Sequence, residues 1–487
     1  MFHKNRQFLT SCNWNGCKMA KKIYCWVLGT GCFLHLRLLT FDFYLLSFIF
    51  IKKMNRKSLN TYRNNFTLLI SLLIIFFYHG KASCQDSLIY SGHIFKNGIK
   101  TVLLHKKGWD LSYPILNLNS NEKLVLIFDE MGSRTGNYQY TFEHCDAGWN
   151  SSNLSPPEYM DGFPENQIEK FNYSFNTTID YVNYQLEFPN ENIQFRISGN
   201  YIIKVYENYD PEKIVLTKRF TVSEKLVNIT ARAKRPSITA IYNEGQEVSF
   251  SIDLNSYHIR DPYQQIKAVV CQNNKWGYAR TDLKPSTFNS NMLVFSDPTT
   301  NVFPAGNEYR YFDIKSIRYK SEYIEHIDFF DGQYNIGLYP EKSRALKNYF
   351  YIQDLNGRYY IDVQEGQNRH TDADYLHLFF SLQMDHPPDK VGVFIYGELT
   401  NWECNNLSRM VYNIDSRSYE LSLLLKQGFY NYEYVCLPEG KTIPDNTLIE
   451  GSHYETENDY VIYVYYKDLM LRYDKLIGVE IVNTLNE

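Results

Sequence analysis

The chain reads as an all-β protein, a tandem array of antiparallel, immunoglobulin-like β-sandwich domains behind an N-terminal signal peptide. Three observations carry this prediction. Tyr and Phe number 42 and 31 in 487 residues, and aromatic side chains favour pleated, half-buried surfaces. Short segments alternate apolar and polar residues with the period of two of an extended chain, as where Val248, Phe250, Ile252 and Leu254 interleave with Ser249, Ser251 and Asp253. Gly, Asn and Pro clusters separate these segments, which is strand-and-turn punctuation.

The first 84 residues do not read as folded domain. Residues 54–84 have the order of a signal peptide: Arg56, Lys57 and Arg63, then the apolar run FTLLISLLIIFFY at 66–78, then Ala82, Ser83 and Cys84 at the cleavage positions. The run is shorter than the roughly 20 apolar residues that span a membrane. Lys81 stands where a lipoprotein signal carries an apolar residue, which argues against lipidation of Cys84. Residues 1–53 are expected to be an over-extended translation start, although 27–51 is apolar apart from His35, Arg37 and Asp42. Cleavage after Cys84 leaves 487 − 84 = 403 residues.

A body of that length holds two to four domains at about 100–200 residues each. Residues 85–223 are expected to form a β-sandwich with strands at 123–129, 138–145, 181–188, 201–206 and 214–222. A middle β domain over 224–354 follows the polar joint at 231–236, with strands at 248–254, 266–271 and 309–314. An immunoglobulin-like domain over 355–487 takes strands at 376–382, 391–397, 419–423, 430–436 and 460–466. Five of nine cysteines lie in the leader, and Cys145, Cys271, Cys404 and Cys436 are too scattered for a zinc site or a dense disulfide scaffold. Buried free thiols are the favoured reading, with a Cys404–Cys436 bridge left open.

Residues 138–163 organise the first domain. Tyr138, Tyr140, Phe142 and His144 should face a core, with Gln139, Thr141, Glu143 and Cys145 opposite, before a long loop at 149–163. His144, Cys145 and Asp146 are the residue types of a thiol nucleophile with its base. Adjacent strand residues point to opposite sides, however, so the imidazole and the thiol are not placed as a dyad. The mature segment carries no phosphate loop, no His-x-x-x-His pair and no G-x-S-x-G elbow. His370, Asp372, Asp374 and His377 form a loose cluster that reads as solvated loop rather than a cation site. A net charge of −4 leaves no basic footprint for nucleic acid. No catalytic residue, metal or cofactor is assigned.

Six blocks carry a family resemblance: FEHCDAGWN at 142–150, EYMDGF at 158–163, SGNYIIKVYE at 198–207, GNEYRYFDIKSIRY at 306–319, GELTNW at 397–402 and EGSHYETENDYVIYVYY at 450–466. In this order they resemble the plug protein of the bacterial type IX secretion system. The resemblance implies a non-enzymatic periplasmic protein, peripheral to the outer membrane, that reversibly occludes a large outer-membrane β-barrel translocon. It also directs attention to motif residues as contacts: His144, Asp146, Trp149, Tyr159, Asp161, Phe163, Tyr309, Arg310, Tyr311 and Trp402, on loops near 149–163 and 309–319. No small-molecule substrate or nucleic acid is implied.

Two other classes compete. GELTNW resembles a stretch of immunoglobulin-like modules that precede or bind α-glucans, where Trp402 and Tyr396 would stack on sugars, although a Trp after a turn is more often a core plug. An outer-membrane barrel is disfavoured, because its strands of about 9–11 residues would need one continuously apolar face, and these are shorter and Pro-interrupted.

Overall fold

A computed structural model of the chain describes residues 89–467 and 470–485. The expected signal peptide and upstream extension lie outside the described residues. The protein is nearly all β, with strands over 47% and helix over 6% of the described residues. Residues 86–487 form one compact unit.

Three sandwiches make up this unit. In the first, the sheet Ile99–Lys106, Leu124–Met131, Tyr181–Phe188 and Phe171–Tyr173 faces the sheet Ile115–Asn117, Ile214–Ser223, Gly199–Glu207, Tyr138–Cys145 and Asn166–Gln167. The core between them is aromatic. Phe142 packs against Phe188, Phe195 and Phe220 with ring centroids 5.0, 5.2 and 5.7 Å away, within the 4.5–7 Å range of favourable aromatic pairs. The alternation expected at 138–145 holds: Tyr138, Tyr140 and Phe142 enter this core, and Cys145 packs on the other side with Trp149 and Ile202.

The second sandwich places Asn228–Lys234, Gly245–Asp253, Met292–Phe295 and Thr287–Asn289 against Ile266–Gln272, Asp459–Lys467 and Asp474–Asn483. The third places Arg310–Asp313, Gly428–Pro438, Tyr359–Ile361 and Val391–Tyr396 against a sheet ordered Ile324–Phe330, Gln333–Leu338, Tyr375–Gln383, Ser418–Lys426, Val411–Asn413.

Strand pairing crosses the expected joint at 354. Ile266–Gln272 pairs antiparallel with Asp459–Lys467, from Ile266 opposite Tyr466 to Gln272 opposite Tyr460. Arg310–Asp313 likewise pairs with Gly428–Pro438. The second and third sandwiches therefore each draw on both stretches of sequence. The cause lies in strands that are apolar on both faces. Tyr460, Ile462 and Val464 enter the second core, while Val461, Tyr463 and Tyr465 meet Tyr113, Ile115 and Ala147 of the first sandwich. In the same way Leu124, Leu126 and Phe128 fill the first core, and Val125 and Ile127 join the third.

Polar contacts reinforce the junction of the first and third sandwiches. The buried Asp129 carboxylate accepts from Lys426 Nζ at 2.7 Å, Tyr375 OH at 2.7 Å and Asn183 Nδ2 at 2.7 Å. Such a group is tolerated in an apolar interior because the carboxylate has three donors and a counter-charge. Cys145, Cys271, Cys404 and Cys436 are all free thiols.

Candidate interaction surface

The motif blocks converge inside the molecule. Asp146 Oδ1 accepts the backbone N–H of Gly148 at 2.8 Å and of Asn150 at 2.9 Å. This Asx turn, with Trp149 in the left-handed region at φ 64°, directs the indole inward. Trp149 is buried, edge-to-face with Trp276 of the second sandwich at 4.9 Å, and the Arg219 guanidinium lies 4.5 Å from its ring centroid.

The expected loop at 149–163 contains a helical turn, Pro156–Tyr159, and a short strand, Met160–Gly162, paired with Ile193–Phe195. Ser155 and Glu158 cap the turn reciprocally. Tyr159 is buried and donates its hydroxyl to Phe142 O at 2.8 Å. Gly162, at φ 111°, allows the close approach to Asn192, whose carbonyl oxygen would lie 1.8 Å from an added Cβ.

His144 is enclosed by Tyr201 and Tyr473, with ring centroids at 4.9 and 5.5 Å, and its Nε2 contacts Ser198 O at 3.2 Å. Burial pushes its imidazole down to about 4, and burial pushes the Cys145 thiol up. A neutral imidazole and a protonated thiol on opposite faces of one strand do not form a nucleophile and base.

The later blocks form a second weld. Arg310 donates to Glu450 at 3.0 Å and to Glu341 at 2.8 Å. Burial pushes the Glu450 carboxyl up, but Arg310 and Arg344 outweigh it and hold it low. Tyr309 is buried, and Tyr311 stacks on Phe429 at 5.4 Å. Trp402 meets Tyr396 at 5.4 Å and Tyr309 at 6.3 Å, both edge-to-face. Tyr396 is buried, so these two rings do not make an open sugar platform.

The loose acidic cluster is likewise committed to the fold. Asp374 accepts from Thr178 N and Tyr375 N, Asp372 from Gln367 N and Asn368 N, and His377 Nε2 contacts Gln333 Oε1.

Among the residues expected to meet a partner, then, His144, Trp149, Tyr159 and Tyr309 pack inside, and Arg310 is largely enclosed. Aromatic residues suit a buried joint as well as an exposed contact, so composition alone does not separate the two roles. Asp161 and Phe163 remain at the surface, Phe163 with 68% of its area exposed.

Sequence reasoning missed a larger exposed feature. Ile324–Phe330 and Gln333–Leu338 form a hairpin closed by Asp331 and Gly332, both at positive φ, 52° and 77°. Asp-Gly between strand-forming residues is the signal that would have found it. Phe329 and Phe330 are 60% and 77% exposed beside this turn. A second exposed aromatic stripe, Phe171, Tyr173 and Phe175, borders the open edge of the first sandwich.

A family model described as "Type 9 secretion system plug protein 1st domain" matches residues 99–224, which spans the first sandwich from its outer strand to the end of Ile214–Ser223. Residues 99–224 therefore match the first domain of the type IX secretion system plug protein family. The chain is also similar to the crystal structure of a hypothetical protein from Parabacteroides merdae, at 38% identity and a TM-score of 0.78, covering 80% of this chain and 98% of that one. No curated protein matches. The plug family implies association with the type IX secretion machinery, and an envelope location follows from that association. No helix among the described residues is long and apolar enough to cross a membrane.

Proposed function

We propose that this protein is a non-enzymatic periplasmic plug that reversibly occludes the outer-membrane β-barrel translocon of type IX secretion. The observation that carries the reading is the plug-family match over the first sandwich. The build of the molecule supports it, because occlusion requires a rigid body and strands buried on both faces resist deformation. Exposed aromatics such as Phe330 and Phe163 supply contact energy without permanent burial.

A reversible seal needs differential affinity. The plug binds the cargo-free translocon better than the loaded one, and a tenfold preference requires only about 1.4 kcal/mol. Deleting the gene should sensitise cells to large antibiotics that the outer membrane normally excludes, and the tagged protein should co-purify with a large barrel. Unchanged permeability together with no co-purifying barrel would sink the proposal.

A further inference from the structure

The three sandwiches meet around a cleft of about 410 Å³ that the plug reading does not use. Its volume is that of a small-molecule site. Four cations line it: Lys218 and Arg219 from the first sandwich, Lys275 from the second and Arg358 from the third. The lining carboxylates are Glu398 and Glu403, and Glu403 is already bound to His93 Nδ1 at 2.7 Å.

The direct hydrogen-bond partners of the cations are neutral, while Glu398 and Glu403 act on Lys218, Glu433 and Asp354 on Lys275, and Glu398 on Arg358. Lys218 Nζ donates to the side-chain oxygen of Asn401 at 2.5 Å, and Arg219 Nε to Tyr90 O at 2.6 Å. Arg358 donates to the backbone oxygens of Leu355 and Leu111. Lys275 Nζ donates to Tyr309 OH at 2.8 Å and stands 3.8 Å from Glu433. Burial lowers the Lys218 and Lys275 amines and pushes Arg219 down to about 10, so the surrounding carboxylates do not fully offset the removal of these charges from water. Trp276 and Trp402, both only part-buried, supply flat apolar walls beside the cations.

We propose that this cleft binds a small organic anion, a carboxylate or phosphate monoester carrying a flat apolar body. The anion completes the charge of Lys218, Arg219, Lys275 and Arg358, and its body lies along the aromatic wall. Because the cleft draws residues from all three sandwiches, an occupant ties them together.

The test is thermal unfolding of the purified protein with benzoate, phenyl phosphate or neutral benzyl alcohol, at ionic strength matched with sodium chloride. Benzoate or phenyl phosphate should raise Tm saturably and benzyl alcohol should not, with the better of the two anions identifying the head group. Lys218→Met removes a desolvated ammonium whose hydrogen-bond partner is the neutral Asn401 oxygen, whereas Lys275→Met also leaves Glu433 without its cation and lowers stability; each should weaken the anion by about tenfold or more. If one variant fails to fold, the other answers the question. Absence of a saturable anion effect, an equal shift with benzyl alcohol, or undiminished affinity in the lysine variants would overturn the proposal.

Discussion

Replacing Lys426 by Met removes the only cation within salt-bridge distance of Asp129 among the described residues. The two side chains are 1% and 0% exposed, and Nζ lies 2.7 Å from Oδ2. The ammonium also donates to His370 O at 2.9 Å and sits 4.0 Å above the Tyr181 ring. In the Lys426→Met protein the carboxylate keeps its hydrogen bonds from Tyr375 and Asn183 but loses its counter-charge inside a junction of two cores. Breaking a buried pair in this way costs about 3–5 kcal/mol. The double variant Asp129→Asn with Lys426→Met removes both charges and keeps an amide oxygen to accept from Tyr375. It should recover most of the loss, to within about 1–2 kcal/mol of the parent. Guanidinium unfolding followed by both tryptophan fluorescence and far-ultraviolet circular dichroism measures this and tests whether the cores unfold together. A single-variant cost below about 1 kcal/mol, or a double variant no more stable than Lys426→Met, would refute the reasoning.

Three further outcomes follow from particular contacts. Gly199→Ala would place a Cβ 2.3 Å from His144 Nε2 at φ 143°; a loss of about 2–4 kcal/mol is expected in the same unfolding assay, and a neutral change would show that the ring can move aside. Burial raises the Glu308 carboxyl to about 7, against hydrogen bonds from Tyr349 OH and Glu457 N that favour the ionised form. The folded state therefore holds this proton more tightly than the unfolded chain. Its contribution is present below the ordinary carboxylate range and is lost as pH rises through about 7, by up to about 3 kcal/mol. Glu308→Gln should flatten that part of a Tm-against-pH profile between about pH 5 and 8, and an unchanged slope would remove Glu308 as its cause. Phe329→Ser with Phe330→Ser should leave stability within about 1 kcal/mol while reducing translocon co-purification about tenfold or more; equal recovery would move the contact elsewhere.

Sequence pattern was most informative where a strand buries one face. Tyr138, Tyr140 and Phe142 alternate with partly exposed Thr141 and Glu143, and the strand lies as that alternation requires. It was least informative where both faces are buried, as in Leu124–Met131 and Asp459–Lys467, because a continuous apolar run states burial without naming the neighbours. That ambiguity hid the pairing of Ile266–Gln272 with a strand nearly two hundred residues onward, and with it the true composition of the second sandwich. The inward placement of Trp149 and Tyr159 was hidden for a related reason. Trp149 and Tyr159 are fixed inside by an Asx turn and a buried hydroxyl bond, and neither the turn's direction nor the bond's partner can be read from neighbouring letters.

The pairing of Ile266–Gln272 with Asp459–Lys467 also sets a timetable for assembly. Synthesis runs from the N-terminus, so the first sandwich has all its paired strands by Ser223 and its core can close early. The second waits with Ile266–Gln272 unpaired and the core facing Val248, Phe250 and Ile252 incomplete until Tyr460, Ile462 and Val464 arrive, more than 180 residues later. In that interval the nascent protein presents an apolar sheet face of the kind that invites aggregation or holdase binding.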